Sequence, residues 1–379
     1  MTERGRIERS APADDTDSHR SHRQSPAPYD RRMTDSIDLR SDTVTVPSVA
    51  MRRAMAEADV GDDQYGEDPS VIRLQDETAD LLGTEAALFL PSGTMTNQVA
   101  LRTLTRPGDD VLVPTEPHIV MHETGAAAAN AGVQFTTVGS AGTYTADQVR
   151  EAVKPAGHIV YPPTTLLVAE NTHNRAGGIV FPDDLLAAAV SMAREHGLAT
   201  YLDGARILNA AVASGVEPAR LTRGFDLIGM SLSKGLGAPV GSMLAGSKEL
   251  IGLAHRYRRM AGGAMRQAGI IAAAGSYALA NNVARLAEDH AHARLIAEVL
   301  AESDHIALDL STVQTNIIVF FLADEPKVPD AATFVERCRG RGVLVSAFGR
   351  RVVRAVTHLN VDAEGCLRAG DEMRRIAAG

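Results

Sequence analysis

The sequence predicts an α/β protein in which a mostly parallel sheet, covered by helices, is followed by a smaller C-terminal α/β domain. Between residues 86 and 246, short apolar runs alternate with segments of helical length, as in parallel strands joined by crossover helices. Strands that are apolar throughout fit a sheet covered on both faces. A long charged helix at 283–302 then leads to a second alternation of strands and helices.

The composition is that of a large folded chain. It has 379 residues, 45% hydrophobic and 22% charged, which suggests about two domains. The formal net charge is -9 and no basic stripe appears, so nucleic acid is not expected as a partner. No apolar run reaches the ~20 residues of a transmembrane helix, so no membrane is expected either. The only two cysteines, Cys338 and Cys366, argue against a disulfide scaffold and fit a reducing cytoplasm.

The N-terminal segments are expected to lie outside the main sheet. Residues 1–36 are polar and of mixed charge, so a disordered tail is expected there, with Met33 as an alternative translation start. Residues 37–60 are assigned to a segment that packs with the smaller domain. An acidic loop at 59–69 carries one aromatic residue, Tyr65, and could form a lip over a site.

The remaining elements follow from cap residues, apolar periodicity and turn residues, with Ser48 and Ser70 expected to cap the first two helices. The predicted helices span residues 48–58, 70–82, 95–104, 117–130, 145–153, 182–196, 248–260, 268–279, 283–302, 331–341 and 362–378. The predicted strands span residues 86–90, 109–113, 133–138, 165–171, 198–202, 226–230, 243–245, 314–321, 343–345 and 352–356. The large domain is assigned to residues 61–285 and the small domain to residues 286–379.

One lysine, Lys234, follows the strand over 226–230 at the start of a glycine-rich turn, SLSKGLGAPVG. Ligands bind at the carboxyl ends of strands in open α/β sheets. A lysine held there and partly desolvated becomes a usable amine nucleophile, as a Schiff-base lysine must be. Taken alone, a lysine after a strand is more often a surface residue.

Two other strand ends carry complementary chemistry. Ser92, Gly93 and Thr94 lie between a strand and a helix, where free N–H groups and hydroxyls can hold an anion. Asp203 ends the strand that precedes that of Lys234. An amine, a carboxylate and an anion cradle together fit a ring cofactor that carries an aldehyde, a basic pyridine nitrogen and a phosphate.

Two histidines, His118 and His122, lie four residues apart after the strand over 109–113. This spacing also occurs in helical metal pairs, but no third ligand is evident in register, and no metal site is predicted. A capping or packed role is favoured for His122. His118 lies on the ligand side and could supply a flat group against the cofactor ring.

Nine segments together carry a resemblance to a known family. They are DLRSDT (38–43), VGDDQYGEDP (60–69), FLPSGTMTNQ (89–98), PHIVMHETGA (117–126), ENTHNRAGG (170–178), LDGARILNA (202–210), SLSKGLGAPVGS (231–242), GGAMRQ (262–267) and VRAVTHLNV (353–361). From about Ile37 to the C terminus, the chain resembles the threonine aldolases. These belong to the fold-type I enzymes that use pyridoxal 5'-phosphate (PLP), a group that also holds the β-eliminating lyases.

The resemblance implies a role for each matching residue. Lys234 would form the Schiff base with PLP, Asp203 would hold the pyridine nitrogen, and His118 would stack on the ring. The residues implied for the PLP phosphate are Gly93, Thr94 and Arg266. The residues implied for the substrate carboxylate, or for orienting the ring, are Ser41, Arg206 and Arg354.

The resemblance also implies a homotetramer, built as a dimer of dimers with sites at the dimer interface. Tyr65 would come from the facing subunit and Arg266 from a neighbouring one. Two positions depart from the family pattern. Thr96 replaces a glycine, which should be tolerated inside a helix, and His158 lies two residues out of register with a family histidine, near Tyr161.

The implied reaction is retro-aldol cleavage of L-threonine, L-allo-threonine and related β-hydroxy-α-amino acids to glycine and an aldehyde. Arg354 would pair bidentately with the substrate carboxylate. The candidates for the base that takes the β-hydroxyl proton are His118, His173 and an ordered water. The alternative enzyme is a β-eliminating lyase that acts on an amino acid with a β leaving group. A non-catalytic protein of the same fold is disfavoured, because Lys234, Asp203 and Arg354 are all present.

Overall fold

The computed structural model describes residues 36–323 and 327–379, so the tail expected at 1–36 lies outside the described residues except for Ser36. The strands are β1 Ile37–Asp38, β2 Ala86–Leu90, β3 Asp110–Pro114, β4 Gln134–Val138, β5 Thr164–Glu170, β6 Ala199–Asp203, β7 Leu227–Ser231, β8 Ser242–Gly246, β9 Ile306–Ala307, β10 Ile317–Leu322, β11 Val343–Leu344, β12 Ser346–Ala347 and β13 Val352–Val356. The α-helices are α1 Val49–Ala56, α2 Pro69–Leu82, α3 Gly93–Leu104, α4 His118–Met121, α5 Ala126–Asn130, α6 Ala146–Ala152, α7 Asp183–Glu195, α8 Ile207–Ser214, α9 Pro218–Leu221, α10 Lys248–Met260, α11 Gly269–Asn281, α12 Leu286–Ala301, α13 Ala331–Gly340 and α14 Ala363–Ala378.

A seven-stranded sheet forms the centre of the fold, in the order β2-β8-β7-β6-β5-β3-β4. Neighbouring strands from β7 through β6, β5 and β3 to β4 are parallel, whereas β8 is antiparallel to both β7 and β2. Alternate strand residues enter different apolar clusters: Leu112 and Ile228 pack on one face, and Val111 and Leu227 on the other. The predicted mostly parallel sheet with both faces covered is confirmed.

A smaller antiparallel sheet lies in the C-terminal part of the chain, in the order β12-β13-β10-β9. Its apolar residues join those of α12, α13 and α14 in a separate cluster. The N-terminal segment contacts this region, because β1 pairs in parallel with β11 and Leu39 belongs to the same cluster. The domain boundaries assigned from the sequence remain a prediction.

Local signals explain where several helices begin. Ser48 caps α1 as predicted, with its side chain accepting a hydrogen bond from Met51 N. The predicted cap of α2 was wrong by two residues. Asp68 accepts from the backbone N–H groups of the first turn, and Pro69 occupies the first helical position, where a missing N–H costs nothing. Ser70 lies inside the helix and donates to Asp59 O at 2.7 Å.

The single helix predicted over 117–130 was also wrong, because two short helices occupy this stretch. Thr124 and Gly125 both adopt positive φ angles of 56° and 75°, a backbone conformation that no right-handed helix can include. The break turns the chain between α4 and α5. Within the described ranges, no helix is both long enough and apolar enough to cross a membrane.

Candidate active site

One edge of the large sheet gathers the polar strand ends. Strands β2, β3, β5, β6 and β7 all run in the same direction, so the segments that follow them meet at the carboxyl edge. These segments are residues 91–94, 115–118, 171–175, 204–206 and 232–241. Each of them carries at least one residue that the sequence predicted for the site.

Four predicted site residues line one small cavity at this edge. Gly93, His118, Asp203 and Lys234 contribute to its wall, and the remaining wall comes from α3, β7, the start of β8 and Ala205, which follows β6. Thr94, the second residue of α3, is exposed and does not line the cavity. The structure therefore brings an amine, a carboxylate, an imidazole and a helix N terminus together.

The position of Lys234 is fixed by the turn that follows β7. Its carbonyl accepts hydrogen bonds from Gly237 N (2.8 Å) and from Thr45 Oγ1 (3.2 Å). Gly241, at φ 115°, closes the turn against the Phe89 ring, where a Cβ atom would lie only 2.5 Å from a ring carbon. Burial and the nearby charge of Arg206 lower the pKa of Lys234 to about 8. A neutral amine is therefore accessible at mildly alkaline pH.

Asp203 ends β6 next to the strand that leads to Lys234 and is 4% exposed. Its Oδ2 accepts a hydrogen bond from Asn97 Nδ2 at 3.0 Å, and its Oδ1 accepts from Ala205 N at 3.3 Å. These donors hold the carboxylate at the cavity wall.

His118 is held at two points. Its backbone N–H donates to Glu170 Oε2 at 2.7 Å, and its ring Nδ1 lies 3.1 Å from Glu123 Oε1. Burial alone would lower the pKa of His118, but the hydrogen bond to Glu123 and the charge of Asp203 raise it.

The two other histidines near this edge have different partners. His122 is exposed, and its ring lies nearly parallel to the Phe348 ring, with 6.0 Å between centroids and 7° between planes. His173 is 1% exposed; its Nδ1 accepts a hydrogen bond from Ala176 N at 3.1 Å, and its Nε2 has no hydrogen-bond partner among the described residues. His158 lies on an exposed turn against Tyr161 and does not line the cavity.

Arg206 is buried and engaged by a carboxylate. Its Nε and one terminal nitrogen donate to the two oxygens of Asp42 at 2.7 and 2.6 Å, and Asn316 donates to the same carboxylate at 3.1 Å. Ser41 precedes Asp42 and caps the short 3-10 helix Asp42–Val44. This pair joins the N-terminal segment to the strand end that carries Asp203. The predicted roles of Ser41 and Arg206 toward substrate remain predictions.

Replacing Asp42 with alanine should lower the free energy of unfolding by about 3–5 kcal/mol, because it leaves the buried Arg206 charge without its partner. Burial alone would raise the pKa of Asp42, but Arg206 holds it well below the usual range of a carboxylate. A lowered pKa means that this stability is present above pH about 4 and is lost as the pH falls further. Urea denaturation at several pH values measures both effects.

The control for this variant is Glu298→Ala, which breaks the exposed pair between Glu298 and Arg294 on α12. An exposed pair contributes less than about 1 kcal/mol. If Asp42→Ala loses as little unfolding free energy as Glu298→Ala, the buried charge of Arg206 does not need Asp42 as its partner.

Arg354 lies on β13, opposite the segment that follows β5. It donates to Asn174 Oδ1 at 2.8 Å and to Arg40 O at 3.0 Å, and its guanidinium stacks 4.6 Å from the centre of the Phe348 ring. Its Nε is buried without a partner among the described residues. Burial and the charge of Arg206 lower the pKa of Arg354 to about 10, so it stays cationic at neutral pH.

Tyr65 and Arg266 do not line the cavity. Tyr65 is 77% exposed, and Arg266 pairs at 3.2 Å with Asp62 on the surface. The family resemblance implies that both residues serve a neighbouring subunit, and that role remains a prediction.

Sequence reasoning assigned no role to three residues that hold the site. Asn97, Glu123 and Glu170 are at most 4% exposed and contact Asp203 or His118. Each lies inside a segment quoted for the family resemblance. A single polar residue in or beside a helix or strand does not indicate which distant residue it contacts. A polar residue on the buried face of α3 was the one signal that could have indicated Asn97.

Comparison with known proteins places these residues in a family. Residues 38–324 match the family model described as beta-eliminating lyase. The low specificity L-threonine aldolase of Escherichia coli O157:H7 is 47% identical over 330 residues, which cover 86% of this chain and 95% of that protein. The fold matches the threonine aldolase of Leishmania major with a TM-score of 0.74 at 20% identity, covering 90% of this chain and 99% of that one. It also matches a variant of serine palmitoyltransferase from S. paucimobilis with a bound PLP–myriocin aldimine, with a TM-score of 0.71 at 17% identity over 90% of this chain and 88% of that one.

Proposed function

We propose that this chain, which belongs to the beta-eliminating lyase family, is a PLP-dependent low-specificity L-threonine aldolase that cleaves L-threonine to glycine and acetaldehyde. The observation that carries the proposal is the meeting of Lys234, Asp203, His118 and Gly93 at one cavity. An aldolase of that name matches this chain over 95% of the aldolase's own length and 86% of this chain. The substrate range extends to L-allo-threonine and related β-hydroxy-α-amino acids.

The residues at the cavity fit PLP by the chemistry of their donors. Lys234 is the amine that an aldehyde requires, and Asp203 is the carboxylate that a protonated pyridine nitrogen requires. The space beside Gly93 is open, with no atom within 4 Å of a Cβ placed there, so the first N–H groups of α3 can be approached by a phosphate. When bound, PLP supplies an electron-poor ring that accepts the electron pair of the broken Cα–Cβ bond.

Arg354 is positioned to bind the substrate carboxylate. Its guanidinium is half-buried and stacks on one face of the Phe348 ring. This stacking fixes the plane of the guanidinium. A guanidinium fork pairs bidentately with a carboxylate, which fixes the rotation of the amino acid about its Cα. The rotation decides which bond at Cα breaks.

The hydrogen-bond partners assign different proton positions to the two candidate histidines. His118 Nδ1 faces the acceptor Glu123, so it carries the proton and Nε2 keeps a lone pair. His173 Nδ1 accepts from a backbone N–H, so its proton is on Nε2. We therefore assign removal of the β-hydroxyl proton to His118, while His173 can only donate.

We also propose the homotetramer that the family resemblance implies, with sites at the dimer interface. Thr94, Tyr65 and Arg266 are all exposed in the single chain, and Thr94 lies at the expected phosphate position. Tyr65 ends a short 3-10 helix, Asp63–Tyr65, whose first residue donates its N–H to Arg266 O at 3.0 Å. These residues are available to complete the site of a second copy. Sedimentation velocity would measure the assembly.

A cytoplasmic location is proposed from the cysteines. Cys338 and Cys366 are both free and buried, and burial raises the pKa of each thiol to about 12. Neither requires an oxidising compartment.

The function is tested by incubating the PLP-loaded protein with L-threonine, L-allo-threonine and L-phenylserine. An aldolase releases glycine and the corresponding aldehyde in equal amounts. The β-eliminating alternative, acting on a substrate with a β leaving group, releases pyruvate and ammonia instead. Release of a keto acid and ammonia without glycine would reject the proposal.

Replacing Arg354 with alanine should raise the activation free energy in kcat/KM for L-threonine by about 2–5 kcal/mol, because a charged partner of the substrate carboxylate is lost. Arg354→Lys keeps the charge but loses the fork, and should recover only part of the loss. The matched control is Arg339→Ala, on the exposed face of α13. Unchanged kcat and KM in Arg354→Ala would place the carboxylate elsewhere.

A further inference from the structure

A chain of buried hydrogen bonds connects His118 to Asp203 behind the cavity. Glu123, which is 3% exposed, accepts from the His118 ring at 3.1 Å. Asn97 Nδ2 donates both to Glu123 Oε1 at 2.6 Å and to Asp203 Oδ2 at 3.0 Å. One amide group therefore contacts the two carboxylates that flank the site.

The orientation of this amide and of Glu123 is fixed by two further residues. Because ionised carboxylates only accept, Asn97 Nδ2 must face them, and the hydroxyl of the fully buried Tyr201 then donates to Asn97 Oδ1 at 2.5 Å. Gln98 Nε2 donates to the second oxygen of Glu123 at 2.7 Å. Buried polar groups joined in this way hold one arrangement, because any rotation would leave a buried donor or acceptor unpaired.

We propose that Glu123 is a positioning residue for the aldolase reaction: it accepts the Nδ1 proton of His118 and so keeps the Nε2 lone pair free to take the β-hydroxyl proton of the substrate. Asn97 ties this arrangement to Asp203, so the base and the carboxylate opposite the cofactor ring are held by the same amide. The kinetic consequence rests on the proposed function. The contact between Glu123 and His118 does not depend on it.

The contribution of Glu123 to the pKa of His118 can be measured against that of the other charges around the ring. The titratable groups that face it are Glu123, Glu170, Asp203, Lys234 and His122. Burial opposes protonation of His118, whereas the bond to Glu123 favours it most among the groups that raise its pKa. Glu123→Gln keeps the shape but removes the charge, so the His118 pKa should fall.

The first experiment measures the contact in the protein without PLP or substrate. Exchange of histidine C2 hydrogens for deuterium, read by peptide mass across a pH series, gives the titration midpoint of each histidine. In the unmodified protein the midpoint of His118 should lie above that of a free histidine and that of His255 below it, since burial and Arg258 lower the pKa of His255. In Glu123→Gln the His118 midpoint should fall, while that of His255 should not move.

The second experiment measures kcat for L-threonine against pH in PLP-loaded protein. The acid limb should move to lower pH in Glu123→Gln, and the maximal kcat should fall by about 10²-fold, because an amide can donate to Nδ1 and select the other tautomer. Glu123→Asp keeps the charge and should recover part of the loss. Glu298→Gln, an exposed carboxylate on α12, is the control.

The outcomes separate the two proposals. A His118 midpoint that falls in Glu123→Gln supports the contact even if no aldehyde is released, and that combination would overturn the aldolase function alone. Aldehyde release with an unmoved His118 midpoint or an unmoved acid limb would overturn the role of Glu123. If Glu123→Gln does not fold, a His118 midpoint at or below that of His255 in the unmodified protein overturns it as well.

Discussion

Lys234→Ala is expected to lose covalent attachment of PLP and to lower kcat for L-threonine by about 10³-fold or more. The chain has four lysines, and Lys234 is the one that lines the cavity at the carboxyl edge of the sheet. Lys154 pairs with Asp110 at the opposite edge, where β3 begins. Lys248 and Lys327 are exposed. No second lysine of the described residues lines this cavity and could take over the role.

Absorbance in the visible range and borohydride reduction followed by peptide mass measure the attachment directly. The control is Lys248→Ala, which removes an exposed amine at the start of α10. Because the Lys234 pKa is lowered to about 8, attachment to the PLP-free protein should speed up as the pH rises through that value and the amine loses its proton. Reduced cofactor found on another lysine, or turnover retained by Lys234→Ala, would reject the assignment.

Local sequence signals predicted the bounds of several elements with good accuracy. The strand over 86–90 and the helix over 248–260 have the predicted bounds, because each is a run whose periodicity and flanking residues agree. The four cavity residues could be named because each lies at the end of a strand, in the turn after a strand or at the start of a helix. Once the strands are predicted to be parallel, their carboxyl ends are expected to meet at one edge of the sheet.

Contacts between distant segments explain what the sequence did not reveal. Asp42 and Arg206 are 164 residues apart, and Asn97 and Asp203 are 106 apart, so nothing local indicates either pair. The break between α4 and α5 depends on a non-glycine residue with positive φ, Thr124, which helical propensity does not anticipate. The small strand β11 was found, but its pairing with β1 depends on tertiary packing.

The same contacts alter what can be expected of Arg206. Sequence analysis grouped it with Arg354 and Ser41 as a residue for the substrate carboxylate or for the ring. In the structure both oxygens of Asp42 occupy its fork, whereas Arg354 has a buried Nε without a partner among the described residues. Arg354 donates to an amide oxygen and a backbone carbonyl rather than to a carboxylate, so of the two arginines it is the better candidate for a substrate carboxylate.

Asp203→Asn should lower kcat for L-threonine by about 10²–10³-fold and weaken PLP binding, because it removes the negative charge that keeps the pyridine nitrogen protonated. Asparagine has the same shape, and its carbonyl can still accept from Asn97 Nδ2, so the fold should persist. The change therefore separates the charge from the packing. The measurements are kcat, the dissociation constant of PLP and the free energy of unfolding.

The matched control is Asp110→Asn, which neutralises a fully buried carboxylate at the other edge of the same sheet. Asp110 pairs with Lys154 and with Thr136, so its loss should reduce stability but leave kcat per folded molecule unchanged. Equal losses of kcat in the two variants would mean that any buried carboxylate matters to this sheet and that Asp203 has no special role. A kcat within about twofold of the unmodified protein in Asp203→Asn would show that the ring does not need this charge, and the electron pair released from Cα–Cβ cleavage would have to be stabilised by other groups.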